Sequence, residues 1–480
     1  MTHASSSPEL DVFQEQIRCE LGPALIRTGV ECAPYDRDAL RRTGRARCVL
    51  LPRTREQVSA MLRIAHGCRV GVIAQGARTG LVGAALADAS ATQCVLSCDR
   101  LTRVIDVDTA NRSITVEAGM RLSALQTLLA PHGLHLPIDI GSDPSLGGLV
   151  ASNAGGSRLL KHGGVRRHVL GLEVVLADER GTRVDWLGPL RKNNVGFDTK
   201  QLFIASGGSL GVITAVSFDL ARRDCSSAAF LVALRDLDAA GPALEAFETA
   251  FGDLLAAFEF IDAPSLAQVL RRADRARAPL PLHAGSCHVL VEATSSMPGL
   301  DAVLRERGID VLERLTAQGH TTNAVVDAAA DFWRLRHALP AALGGHGMAL
   351  AFDLGFPRAE LVPFIGTVKT WLHSAHPALA SYAFGHFGDG GVHLVVRVPP
   401  GEVDAYPSAR RQALQAAVYA LAHRHHGAFS AEHGVGPANF HVYRALTSPV
   451  SQRLDGLVQG VFNPRRLLGR CRYEFPGPAS

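Results

Sequence analysis

Short apolar runs alternate along this chain with stretches of helical apolar spacing, and that pattern sets out most of its elements. Up to about residue 42 the chain is polar, broken by an amphipathic piece near Val12–Leu25 that predicts a helical lead-in. Arg47–Leu51 then reads as a strand. After Pro52, Thr54 and Gln57 form a capping-box pattern, and Val58, Met61, Leu62 and Ala65 follow at helical spacing. Further strands are predicted at Gly71–Ala74, Cys94–Cys98, Val104–Asp108 and Ser113–Ala118, the last alternating as a half-buried strand does. A helix opening at Gly119 puts Leu122, Leu125, Leu128 and Leu129 on one face and stops at Pro131 and Gly133. Val169–Ala177 is a strongly apolar strand, Asp178–Gly181 turns it into Thr182–Trp186, and Val212–Leu220 is another strand.

The second half keeps the alternation with different punctuation. Strands are predicted at Phe230–Leu234 and His288–Ala293, and helices near Pro242–Phe251 and within Leu300–Gln318. Tyr382–Val398 reads as two strands joined by a turn at Gly388, Asp389, Gly390 and Gly391. Ser408–Arg424 is a helix with Leu414, Val418 and Leu421 inward, ending at Gly427. Internal repeats and low-complexity segments are absent.

Three glycine-rich stretches interrupt the first half: QGARTGLVG (75–83), GSDPSLGGLVASNAGGSRLLKHGG (141–164) and ASGGSLG (205–211). Glycines let the backbone approach a large ligand and take positive φ, and the N–H groups of tight turns can surround an anion such as a pyrophosphate. Ser145, Ser152 and Asn153 add hydrogen-bonding groups. A glycine-rich surface loop is the competing interpretation of the long stretch. Neither G-x-G-x-x-G nor G-x-x-x-x-G-K-S/T is present, so a Rossmann or P-loop site is unsupported. One extended nucleotide cofactor bound in another way is the inference.

Composition narrows the class. At 480 residues, 47% hydrophobic and 20% charged, the chain can bury a sizeable core spread over more than one domain. A net charge of +4, with basic residues not interleaved with aromatics, gives nucleic-acid binding little support. The one basic run, Lys161, His162, Arg166, Arg167 and His168, is either a solvated face or a counterweight to ligand phosphates. Nine scattered cysteines without a C-x-x-C pair argue against a disulfide framework, a zinc knuckle or an iron–sulfur cluster. Most are expected to be buried thiols, with Cys94 and Cys98 sharing a strand face. The opening MTHASSSPELDVF lacks a basic region followed by an apolar run, and no later segment offers eighteen uncharged apolar residues, so a cytoplasmic protein is expected.

Candidate chemistry gathers late in the chain. His386 and His393, seven residues apart, would point to opposite faces of one straight strand; a hairpin folded at the glycines can instead bring both imidazoles close enough to share a metal. Glu432 and His433 lie in a short polar interruption, FSAEHGVG. Taken singly, each histidine is either a satisfied structural residue or a ligand. Arg336, in FWRLRH, reads as one of two exposed arginines on an amphipathic helix.

The pieces GARTGLVG, PIDIGSDPSLGGLVASNAGGSRLLKHGGVR, VLGLEVVLAD, RKNNVGFDTKQLF and GSLGVITAVS resemble the FAD-binding domain of the vanillyl-alcohol oxidase/p-cresol methylhydroxylase (PCMH) superfamily, in its branch of D-2-hydroxyacid dehydrogenases. The resemblance runs from about residue 45 to the C-terminus. It implies an α+β protein: a lead-in (1–42), a PCMH-type FAD-binding domain of two α/β subdomains (43–222), an α+β cap or substrate domain carrying the metal hairpin (223–427), and a C-terminal helical segment returning to the FAD domain (428–480). It implies FAD contacts at Gly76, Ala77, Arg78, Thr79, Gly80, Leu81, Pro137, Ser145, Gly148, Ser152, Asn153, Gly156 and Ile213. No His or Cys occurs in Gln75–Gly80, so a noncovalent flavin is expected. G-H-x-G-D-G-x-x-H followed by S-A-E-H-G-x-G resembles the metal-dependent branch, which implies His386, His393 and Glu432 as ligands of a divalent ion, usually zinc, and His433 as general base. F-W-R-L-R-H matches the W-x-x-R motif that assigns Arg336 to the substrate carboxylate.

The implied reaction is FAD-dependent oxidation of a D-2-hydroxy acid to the 2-oxo acid, the hydride going to flavin N5. Without an iron–sulfur motif, electrons must leave through a quinone, a cytochrome, an electron-transfer flavoprotein or a partner subunit, and a homodimer is a further expectation. Some positions depart from the branch. Gly391, Val395, Ala351 and Pro340 stand where it carries polar side chains, which favours an acid with a smaller or more apolar tail over 2-hydroxyglutarate; Gly207 and Gly469 replace polar residues near the flavin. Two rivals remain at this point: a metal-independent flavin oxidase of another alcohol or sugar acid, and a non-catalytic flavin- or metal-binding protein.

Overall fold

A computed structural model describes residues 8–272, 287–327, 329–344 and 348–473. Contacts divide the chain into two units: Met1–Gly155, Gly164–Arg222 and Glu432–Ser480 form the first, Gly156–Gly163 and Arg223–Ala431 the second. Residues 1–7 of the expected lead-in and 474–480 of the expected return segment lie outside the described residues.

Unit 1 contains two principal sheets. Strands β1 (Ile26–Thr28), β2 (Cys48–Leu50), β3 (Gly71–Gln75) and β4 (Gln93–Ser97) form one in the order β1-β2-β4-β3, with β2, β4 and β3 parallel. Strands β5 (Val104–Asp108), β6 (Ser113–Glu117), β8 (Val169–Val175), β9 (Arg183–Asp185) and β10 (Val212–Asp219) form an antiparallel sheet in the order β5-β6-β10-β8-β9, while β7 (Leu134–His135) pairs with β11 (Ala221–Arg222). The expected helix after Pro52 is Arg55–Cys68. Thr54 Oγ accepts from Gln57 N–H at 3.3 Å, and Gln57 Oε1 accepts from Arg53 N–H rather than from the cap residue itself.

The expected helical lead-in is helix Pro8–Leu21, which buries Phe13 and Ile17 against Met61 and Leu62 because its apolar residues recur at helical spacing. Two expectations need correction here. Leu128 is 38% exposed and does not share the buried face of Leu122, Leu125 and Leu129 in helix Leu122–Leu129. Cys98 lies just past β4; the thiol that meets Cys94 is Cys48, on the neighbouring parallel strand, with sulfurs 2.9 Å apart and both cysteines free.

Unit 2 is built on one antiparallel sheet of seven strands: β12 (Ser226–Leu234), β13 (Leu255–Asp262), β14 (Cys287–Ser295), β15 (Thr321–Asp327), β16 (Met348–Gly355), β17 (Ala380–Gly385) and β18 (Gly391–Val398), in the order β15-β12-β14-β13-β17-β18-β16. Of these, β13, β15 and β16 were not among the strands anticipated from the pattern. Alternation along the strands gives the sheet two faces. Phe258, Phe260, Val289, Val291, Phe352 and Leu394 pack with helices Ala240–Phe251, Asp301–Ala317, Arg358–Ala375 and Ser408–Arg424. Ile261, Leu290, Phe384 and Val395 pack on the opposite face with helices Ala263–Arg272 and Ala329–Leu343. Among the described residues, no helix is long and apolar enough to cross a membrane.

Candidate active site

Unit 1 brings the three glycine loops together. The loop Gly76–Leu81 leaves the end of β3, whose buried Gln75 donates to the carbonyls of Tyr35 (2.9 Å) and Ala85 (2.6 Å). Ala77 N–H donates to Ser145 Oγ at 3.4 Å, and a Cβ on Gly76 would stand 1.9 Å from that oxygen, so the two loops approach closely only because residue 76 has no side chain. Arg78 takes φ +61°, bonds Asp99 at 3.2 Å and lies over the Tyr35 ring; Arg42 donates to Leu81 O. Thr79 and Gly80 complete this turn. The third loop is tied to the second by Ala205 N–H to Val150 O (3.2 Å) and Gly207 N–H to Ala151 O (2.9 Å).

Much of the long glycine stretch folds rather than loops. Ser145 precedes helix Leu146–Ser152, and the N–H groups of Leu146 and Gly147 donate to Met120 O and Ala118 O at 2.9 and 2.7 Å. Gly147 thus serves close packing, since a Cβ there would lie 2.7 Å from that of Ala118, whereas Gly148 is exposed. Ser152 Oγ turns back to Gly148 O, and Asn153, at φ +50°, accepts Arg166 N–H. Pro137 and Ile213 are buried, the latter in β10. Gly156, at φ +81°, begins the segment that belongs to unit 2. The converging loops, with a glycine where a Cβ would collide, fit an extended dinucleotide such as FAD.

The segment Gly156–Gly163 is pinned within unit 2. Lys161 Nζ bonds both oxygens of Asp224 at 2.9 Å and Thr294 Oγ at 2.8 Å, so its charge is matched by protein, not kept for a phosphate. Burial would raise the Asp224 pKa; His162, Thr294 and Lys161 overcome this and hold the carboxyl well below the usual range. Arg158 pairs with Glu292 and lies over Trp333, whose Nε1–H donates to the same carboxylate at 2.8 Å.

The face of the unit 2 sheet covered by helix Ala329–Leu343 carries buried charged groups and two of the candidate residues. Glu259 of β13 is 1% exposed and bonds two partners: Arg336 Nε donates to Oε2 at 2.6 Å, and His386 Nδ1 lies 2.5 Å from Oε1. Burial alone would raise the pKa of Glu259; His386 and Arg336 reverse that and keep it well below the carboxylate range. Arg336 is itself buried, at 6% exposed, against the expectation of an exposed arginine; Arg334 is the exposed one. Its guanidinium stacks over Phe384 at 5.0 Å and brings Nη2 to 3.5 Å from His386 Nε2.

The predicted hairpin exists, and its turn sets the histidines. β17 and β18 pair with Phe384 opposite His393; His386 follows β17, and Gly390 closes the turn at φ +86°, where a Cβ would lie 2.1 Å from Phe356 O. Phe387 drops into the opposite apolar core beside Phe258 and Phe260, fixing the backbone at His386. The two imidazole centroids are 5.5 Å apart. Residues Ala428–Ala431 run along β16, with Ala431 N–H donating to Asp353 O at 3.3 Å, and Glu432 is peptide-bonded to Ala431. Within unit 2, His386 and His393 each offer one ligand nitrogen, and these lie within 4.8 Å of one another. Two such nitrogens, with the Glu432 carboxylate that the resemblance implies, have the donor chemistry of a divalent ion such as zinc. His433 is half-buried, next after Glu432.

The pattern-based assignments missed Glu259, Glu292 and Asp353, the last opposite His393 in the pairing of β16 with β18. Each is an acid within a strand otherwise dominated by apolar residues (LAAFEFID, CHVLVEATS and MALAFDLG), and that contrast is the signal that could have found them.

Comparison with known proteins gives this arrangement its class. Residues 46–185 match the FAD binding domain family, and residues 225–473 match the C-terminal domain of FAD linked oxidases. Among solved structures, p-cresol methylhydroxylase with substrate bound aligns over 98% of this chain and 97% of that one at TM-score 0.75 and 15% identity; alkyldihydroxyacetonephosphate synthase aligns over 96% and 85% at TM-score 0.70 and 15% identity. These two likenesses show a PCMH-type fold. The chain is 33% identical over 450 residues to mitochondrial D-2-hydroxyglutarate dehydrogenase of Bos taurus, covering 91% of this chain and 79% of that protein, and 33% identical over 410 residues to D-2-hydroxyglutarate dehydrogenase of Xanthomonas citri pv. viticola, covering 84% of each. It belongs to the FAD-linked oxidases, in the branch of D-2-hydroxyacid dehydrogenases, and is an FAD-linked oxidoreductase.

Proposed function

We propose that the protein oxidises a D-2-hydroxy acid to the 2-oxo acid in the cytoplasm, holding FAD noncovalently and a divalent ion, zinc in the first instance, at His386, His393 and Glu432. Bound FAD supplies the hydride acceptor, and the bound ion lowers the pKa of the substrate hydroxyl. The observation that carries the reading is the approach of His386 and His393 to one another beside Arg336. Three protein ligands leave coordination open, as a catalytic rather than structural site requires. Arg336 binds the substrate carboxylate through guanidinium N–H groups other than the Nε–H held by Glu259, a charge-assisted contact that orients C2. His433 takes the hydroxyl proton on an imidazole nitrogen.

The tail of the substrate is proposed to be short or apolar. Strand pairing sets Ala351, Val395 and Tyr382 in one row beside the row of Asp353, His393 and Phe384. In that row the only polar group is the Tyr382 hydroxyl, which is bonded to Gln268 at 2.8 Å. A distal carboxylate would find no cation in it. Electrons pass on to a separate acceptor.

Turnover of a panel of D- and L-2-hydroxy acids with an artificial electron acceptor tests this. D-acids should be oxidised, activity should vanish on chelation and return with Zn²⁺, and D-lactate should be preferred to D-2-hydroxyglutarate. Chelator-insensitive turnover overturns the metal role and favours a metal-independent flavin oxidase; preference for D-2-hydroxyglutarate overturns the tail assignment.

A further inference from the structure

We propose that Glu259 is a positioning residue for the metal site: it fixes the tautomer and ring orientation of His386, and the same carboxylate anchors Arg336, so that one acid sets both the metal ligand and the substrate cation. The inference rests on the metal reading above. Its grounds are geometric. Glu259 is 1% exposed, on the strand face covered by helix Ala329–Leu343, and its two oxygens are divided between two partners, Oε1 to His386 Nδ1 at 2.5 Å and Oε2 to Arg336 Nε at 2.6 Å. A carboxylate accepts and cannot donate, so the proton of a neutral imidazole must sit on Nδ1, which leaves the Nε2 lone pair as the ligand atom. A carboxylate behind a ligating histidine also raises the basicity of the ligand.

His393 lacks an equivalent contact with its facing acid. Its nearest Asp353 oxygen is 3.9 Å from Nδ1, too long for a hydrogen bond. His386 is held by a buried carboxylate, and His393 stands in β18 opposite Phe384. Arg336 gains from the same arrangement: with Nε–H held by Glu259 and the guanidinium plane on Phe384, the Nη2 edge stands beside His386, the place where the carboxylate of a metal-bound 2-hydroxy acid would need a cation.

Zn²⁺ titration of the metal-stripped, FAD-loaded protein against a chromophoric chelator reads this without turnover. Glu259→Gln keeps the shape and removes the charge; it should raise the Zn²⁺ Kd by about 10–100-fold, the usual cost of losing such a partner. The double variant E259Q/R336M should remain as weak as the single. An unchanged Kd in E259Q overturns the proposal, as does wild-type affinity recovered in the double variant, which would mean that Glu259 only cancels the charge of Arg336. Wild-type protein that binds no Zn²⁺ overturns the metal reading itself, an outcome distinct from equal, tight binding by both proteins. Should E259Q fail to fold, ¹⁵N imidazole spectra of metal-stripped wild-type protein, with the His386 signals assigned by His386→Gln, decide the matter: a proton on Nδ1 with a bare Nε2 supports the proposal, and a proton on Nε2 alone overturns it.

Discussion

The two faces of the seven-stranded sheet in unit 2 are made by the same strands and do opposite work. One face is a packed apolar layer in which Phe230, Phe247, Phe258 and Phe260 lie fully buried, and its chief ion pair, Asp262 with Lys369, sits at the end of β13. The other face buries acids in its interior, Glu259 and Glu292 at 1% and 4% exposed, and each is matched by an arginine and a second donor. Replacing a buried pair by apolar residues is often neutral or stabilising, so stability alone gives little reason for the second face to be polar. Arg336, the carboxylates, His386 and His393 share that face, and the proposed reaction supplies the reason for it.

Changes on the two faces should therefore separate activity from stability. The largest effect is expected for His393→Ala. With the metal site broken, a Lewis-acid contribution of several kcal/mol disappears and kcat/KM falls by about 10³-fold, while FAD content and thermal stability hold; steady-state kinetics with metal analysis checks this. Phe247→Ala, in the apolar layer, should show the reverse. It costs about 3–5 kcal/mol in urea unfolding, and the protein that remains folded keeps its Zn²⁺ affinity.

A smaller loss should follow Gly308→Ala in helix Asp301–Ala317, where a Cβ would stand 2.0 Å from Phe230 Cζ; overpacking of this kind costs about 1–3 kcal/mol and should leave KM unchanged. Asp224→Asn, at the end of the polar face beside Lys161 and Thr294, should cost a similar amount, about 1.5–3 kcal/mol, as expected for hydrogen bonds to a charged group. It should also carry a pH signature. The folded-state pKa of Asp224 lies below its unfolded value, so its stabilisation is present above about pH 4 and is lost as pH falls through the folded value. The Tm gap between wild type and variant should thus be constant near neutrality and close in acid.

Local chemistry was the legible part of this molecule. Thr54 and Gln57 marked a helix start that the structure bears out, Ser408–Arg424 is a helix with the bounds expected, and the glycines at 388–391 announced the hairpin. Those signals act within a few residues of one another. The polar cluster is different in kind. Glu259 meets Arg336 and His386 across 77 and 127 residues, contacts set by strand order rather than by neighbours in sequence. Periodicity also hid it, since LAAFEFID lacks the strict alternation that marks a half-buried strand and Arg336 reads as an exposed position on an amphipathic helix. The glycine stretch at 141–164 erred the other way: its flexibility suggested an open loop, whereas Leu146–Ser152 is helical and Gly147 is small to let that helix pack on Ala118.

The anaerobic half-reaction tests the central claim most directly. FAD-loaded protein is mixed with a D-2-hydroxy acid without oxygen or any other acceptor, before and after removal of the metal, and the flavin absorbance is followed. Bleaching by the D-acid and not by its L-enantiomer, abolished by metal removal and restored by Zn²⁺, is the predicted result. Bleaching that survives metal removal, or a flavin that no 2-hydroxy acid reduces, would contradict the account.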